Sequence, residues 1–110
     1  NVVTMDEFQK RGIKDVIKET LDKIGDNPVY ITFDLDSLDA SVAPAVSNIE
    51  PSFTGFTIDE AKELIQSVKN KNVIGGDVVC LMPTKDQKNN ITSMVAASIM
   101  FEIISVIAFK

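Results

Sequence analysis

The run from Val29 to Leu35 constrains this chain more than any other stretch. It is apolar almost throughout and is set off by Pro28, as expected of a strand covered on both faces in a parallel sheet. It leads into three carboxylates, Asp34, Asp36 and Asp39. Residues i and i+2 of a strand face the same way, so Asp34 and Asp36 are expected to project together near the strand's C-terminal end. Open α/β sheets hold their ligands at that end. Two aligned carboxylates repel one another, and burying them unpaired is costly. A divalent metal between them is the simplest remedy, because hard cations take oxygen ligands. Aspartates at strand ends also form turns or cap helices, and the spacing alone leaves that reading open.

The flanking sequence argues for an α/β chain. Thr4 to Glu7 reads as a capping box, and Ile13, Val16, Ile17, Leu21 and Ile24 then recur at helical spacing. Gly12 interrupts that helix at a cost of about 1 kcal/mol relative to Ala, and Gly25 suits its left-handed end. Thr57 and Glu60 form a second box before the stripe Ala61, Leu64, Ile65 and Val68. Val73 to Met82 reads as a second buried strand, ended by Pro83. Its Gly75-Gly76 pair suggests a bulge or close backbone approach, and its Asp77 needs partners. Between the strands, Ser37 to Phe56 has no periodicity and carries Pro44, Pro51 and Gly55. Such a stretch is either a solvated excursion or, directly after the carboxylates, the wall of a site. The apolar segment from Ile91 is long enough to span a membrane, but Glu102 and three serines favour a terminal helix packed on a sheet. Helix and strand alternate, which predicts one domain over residues 1–110.

Composition closes off several chemistries. The 110 residues include no histidine, so the commonest general base and metal ligand is missing. Any chemistry runs on carboxylates, or on histidines of other polypeptide. The net charge of −5 and the scattered cations offer no nucleic-acid groove. Cys80 stands alone, so no intrachain disulfide forms, which fits a reducing, cytoplasmic setting. Asn1 to Met5 lacks a signal-peptide pattern and an initiator methionine, which suggests a mature product or a fragment. Asn90-Ile91-Thr92 is formally a glycosylation sequon, with no other sign of secretion beside it.

With these motifs in order, the chain resembles the C-terminal part of the ureohydrolases: arginase, agmatinase and formiminoglutamase. Their Ser-Phe-Asp-Ile-Asp-x-x-Asp-Pro signature is matched by Thr32 to Ala40, followed by a small-residue stretch, Ser41 to Ala45. Thr57 and Glu60 match a Thr-x-Arg-Glu helix start, and Ile74 to Pro83 lies where the family has Asp-x-x-Glu-x-Asn-Pro. The resemblance implies a partial, arginase-like three-layer fold, a parallel sheet with flanking helices. It implies a dinuclear manganese (Mn2+) centre in which Asp34 bridges both ions and Asp36 binds one, with Asp39 orienting the loop. The family's two-metal chemistry hydrolyses a guanidino or formimino carbon–nitrogen bond, releasing urea or formamide. Trimers or hexamers are the family's habit, so a homo-oligomer is expected.

The departures are specific. Cys80 stands where the family has its substrate-facing Glu, and a neutral thiol cannot pair with a guanidinium as a carboxylate does. Asp59 replaces the helix-start Arg, Met82 the strand-end Asn, and Val46 to Ile49 a Thr-Gly-Thr-Pro. The histidine-bearing ligand motifs belong to the family's N-terminal half, so Asp34 and Asp36 alone should hold manganese weakly. No residue here is assigned as catalytic, and the chain by itself is expected to be inactive. A partial parallel sheet exposes an edge and apolar faces, so the N-terminal half of the fold or another copy is expected to cover them. Two other readings stand beside this one: a degenerate, non-catalytic relative of the ureohydrolases, and a haloacid-dehalogenase-type phosphatase. In the second, Asp34 would be nucleophile, Asp36 acid/base and Mg2+ the cofactor, although Ser37-Leu38 replaces the expected Gly-Thr.

Overall fold

Two helices start on threonine caps where the sequence places them. The computed structural model describes residues 1–50 and 54–109. The elements run α1 (Met5–Arg11), α2 (Ile13–Ile24), β1 (Val29–Asp34), α3 (Ile58–Ser67), β2 (Val73–Val79) and α4 (Ile91–Ala108). Thr57 forms a full capping box with Glu60, each side chain satisfying the other's backbone N–H. Thr4 forms half of one: its hydroxyl accepts from the Glu7 amide, while the Glu7 carboxylate turns to Arg11. Arg11 also bonds Asp15 and Glu19, and their carboxylates hold its guanidinium above its usual range.

Gly12 does more than weaken a helix. At φ 83° it closes α1, donating to the Phe8 carbonyl, and opens α2. Phe8 buries on α1 and meets Phe56 edge to face at 5.1 Å. The expected single helix is therefore two, because a glycine in left-handed backbone redirects the chain where an interior glycine would only loosen it.

Strands β1 and β2 pair in parallel, from Val29 opposite Val73 to Asp34 opposite Val79. The register slips between Val29 and Tyr30, so the ladder passes over Ile74, beside the glycine pair. A Cβ on Gly76 would stand 2.7 Å from both the Ile31 carbonyl oxygen and Ile103 Cγ2, which is the close approach the sequence suggests. On that face Ile31 and Phe33 join the core with Ile99, Ile103 and Val106 of α4. Helix α3 packs on α4 and adds Ala61, Ile65 and Val68.

The other face departs from expectation. Tyr30 is 58% exposed and Thr32 is exposed, so β1 is covered by this chain on one side only. Asp77 finds its partners there, accepting from the Tyr30 hydroxyl at 3.0 Å and the Thr32 hydroxyl at 2.6 Å. The apolar run suggests a strand covered on both faces, but among the described residues no layer lies on that side, which leaves it exposed as a partial sheet would be. Helix α4 is likewise half covered. It is long and apolar enough to cross a membrane, but Thr92, Ile99, Ile103 and Val106 bury against the domain, while Met94, Phe101 and Ile104 face outward.

The first half of the irregular stretch packs into the domain, while Ser47 to Glu50 are exposed. Leu38, Ala43, Ala45 and Val46 are buried, and Val46 bridges to Leu81. Its base is tied where Phe56 donates to the Ser37 carbonyl and Asp39 donates to the Phe56 carbonyl, both at 2.9 Å. A Cβ on Gly55 would lie 2.5 Å from the Leu38 carbonyl carbon, so only glycine fits. Pro51 lies outside the described residues.

Candidate metal centre

Parallel pairing brings the C-terminal ends of β1 and β2 side by side. Asp34 is the last residue of β1, and the chain then leaves the strand in a single 3₁₀ turn, Leu35–Ser37. Asp36 sits in that turn rather than in the strand, so strand alternation is not what unites it with Asp34. The turn does so: the Asp36 amide donates to Asp34 Oδ1 at 3.2 Å, and the Ser37 hydroxyl donates to the Asp34 carbonyl at 2.6 Å. Asp34 thus acts locally as the turn former that the open reading allowed, and still presents its carboxylate beside that of Asp36. Asp39 is bonded within the loop, its Oδ1 accepting from the amide and hydroxyl of Ser41.

The third member comes from the neighbouring strand. Val79, opposite Asp34, ends β2, and Cys80 follows with φ 72°. This left-handed backbone is uncommon for a residue with a side chain. One donor atom each from Asp34, Asp36 and Cys80 lies within 4.8 Å of the other two, and all three residues are half-buried. Sequence reasoning placed Cys80 at a substrate-facing position and missed it as a neighbour of the carboxylates. The signal lay in register, which pairs residues 45 apart in the chain (Asp34 with Val79).

The electrostatics describe a site short of positive charge. Burial, the neighbouring Asp34 carboxylate and the charge of Glu50 hold Asp36 above the usual carboxylate range. The thiol of Cys80 is pushed up by its bond to Asp34, by burial and by both carboxylates. Among the described residues the ion pairs lie on helices, and none reaches Asp34 or Asp36. A cation between these donors would reverse all of these penalties. The carboxylate pair suits a hard divalent ion, and the thiol adds a soft donor. Two ligands of one ion at roughly 2.0–2.4 Å lie at most about 4–4.8 Å apart, so the three donors fall within the outer limit of a shared coordination sphere.

A parallel α/β scaffold with carboxylates clustered at its strand ends places those groups where open α/β sheets hold their ligands. The model of the arginase family matches residues 1–105, and the chain belongs to that family. An agmatinase from Enterobacter sp. (strain 638) is 37% identical over 109 residues, 99% of this chain and 35% of its own length. Among solved structures, proclavaminate amidino hydrolase from Streptomyces clavuligerus superposes with a TM-score of 0.90 at 31% identity, covering 98% of this chain and 36% of that one. Formimidoylglutamase from Bacillus subtilis gives 0.85 at 32% identity, covering 98% and 34%. The chain therefore has a partial arginase-like α/β fold and spans about a third of the length of these relatives. The family match takes in the Phe33 to Asp36 motif, and nothing in the comparisons favours the phosphatase reading.

Proposed function

We propose that this chain supplies Asp34 and Asp36 to the metal centre of a ureohydrolase-type enzyme that hydrolyses the carbon–nitrogen bond of a guanidino or formimino compound. The observation that carries this is the pairing of the two carboxylates at the end of β1 with no cation beside them among the described residues. Relatives named as agmatinase, amidino hydrolase and formimidoylglutamase support the substrate class. In this reading Asp34 and Asp36 would hold part of a two-manganese cluster, which would supply Lewis-acid activation of water when bound. Ser37 and the Asp36 amide fix the orientation of Asp34, and the loop from Leu38 to Val46 walls the site. The remaining donors come from the N-terminal part of the fold or from another copy, since this chain has no histidine. The groove of about 500 Å³ beside β1, lined by Ile24, Phe33, Leu64 and Val68 and reaching Asp34, supports the same partner.

Mn2+ titration calorimetry on the chain, alone and with added N-terminal polypeptide, tests this reading. Binding that strengthens with the added part and is lost in Asp34→Asn/Asp36→Asn is expected. Binding unchanged by the double substitution would overturn it. Cys80 favours a second reading, a non-catalytic member of the family, because it puts a thiol where a carboxylate would face the substrate cation. Urea or formamide release by the complemented chain separates the two.

A further inference from the structure

From the geometry we infer that Cys80 Sγ is a third donor in this centre and that it turns the site toward thiophilic divalent ions of the zinc class, away from manganese. The inference rests on the reading that Asp34 and Asp36 bind metal, and goes beyond it in donor set and ion. Three observations support it. The donor atoms of Asp34, Asp36 and Cys80 already lie within 4.8 Å of one another. They come from two hydrogen-bonded strand ends, in register at Asp34 and Val79, so the thiol is placed by the same backbone that places the carboxylates. The backbone at Cys80, φ 72°, turns the residue out of the line of β2 just where the carboxylates stand.

The chemistry sets the direction. A thiolate is a soft ligand that selects zinc-class ions, whereas carboxylates alone suit magnesium, calcium and manganese. Two carboxylates and one thiolate make three protein donors, the number that leaves a tetrahedral ion one open position. On binding, the metal–sulfur bond replaces the S–H bond and the proton passes to solvent, so no redox partner is needed. Zinc outranks manganese at almost any nitrogen, oxygen or sulfur site, so a bare preference for zinc decides nothing. What decides is how that preference depends on the sulfur.

The test uses the full 110-residue chain with a non-thiol reductant. Co2+ is added while near-ultraviolet absorbance is followed for thiolate-to-cobalt charge transfer, and calorimetry gives Zn2+ and Mn2+ affinities for the chain and for Cys80→Ser. Expected are a charge-transfer band that Cys80→Ser abolishes and a zinc affinity that falls roughly tenfold or more while manganese affinity holds. On the unsubstituted chain, Zn2+ should slow alkylation of Cys80 at least about tenfold and Mn2+ should not, a readout that survives even if Cys80→Ser misfolds. Cobalt binding that depends on Asp34 and Asp36 without the band or the protection would overturn the inference and leave the carboxylate centre standing. If none of the three ions binds the chain alone, the inference falls, and the carboxylate centre is decided by the titration with added N-terminal polypeptide.

Discussion

At the scale of single residues, Asp86 shows how much one side chain can organise. Its carboxylate accepts from the amides of Gln87, Thr92 and Ser93 and from the Ser93 hydroxyl, so it caps α4 from six residues upstream. These bonds pull its pKa from 3.8 down to about 2. A carboxylate depressed on folding stabilises the fold above its unfolded pKa, and that contribution is lost as pH falls through the folded value. Urea midpoints of the chain and of Asp86→Asn should therefore differ most above about pH 4 and converge near pH 2. Parallel curves across that range would remove Asp86 from the capping role. This cap has no local signature in the sequence, because Asp86 lies six residues before Thr92, outside the standard capping distance. The same scale explains what was readable at the metal centre. Asp34 and Asp36 stand out because a strand signal and two carboxylates are adjacent in sequence. Cys80 does not, because its place depends on a strand pairing that no local pattern encodes.

At the scale of elements, local chemistry was legible and breaks were less so. The box at Thr57 and the stripe of α3 could be read directly, since both depend on residues three or four apart. The two boxes look alike in sequence but differ in the fold, because Glu7 has Arg11 one turn away and Glu60 has no such competitor among its bonds. Thr57→Ala should then cost about 1 kcal/mol in chemical denaturation, and Glu60→Ala a measurable part of that. No loss in Glu60→Ala would mean that its reciprocal bond to the Thr57 amide adds nothing. The split at Gly12 was read as a weak point within one helix. Helical spacing continues across it, and only the positive φ reveals a junction. Strand β2 was read to Met82 for a similar reason: apolar residues continue past Val79, but the backbone turns at Cys80.

At the scale of the whole molecule, the chain presents exposed apolar side chains: Tyr30 and Ile74 from the strands, and Met94, Phe101 and Ile104 from α4. Exposed apolar surface of this kind favours the contact with other polypeptide proposed above. In sedimentation at rising concentration the chain by itself should associate, and Phe101→Ser/Ile104→Ser should shift it toward monomer. A monomer at every concentration with no dye-binding apolar surface would contradict this. The pinch at Gly55 has a different kind of consequence. Because Ser37, Asp39 and Phe56 tie the base of the loop, the strand end is held at the loop's neck. For a lineage, that separates two inheritances: one stretch of sequence can be rewritten for new selectivity while the carboxylates beneath it keep their address.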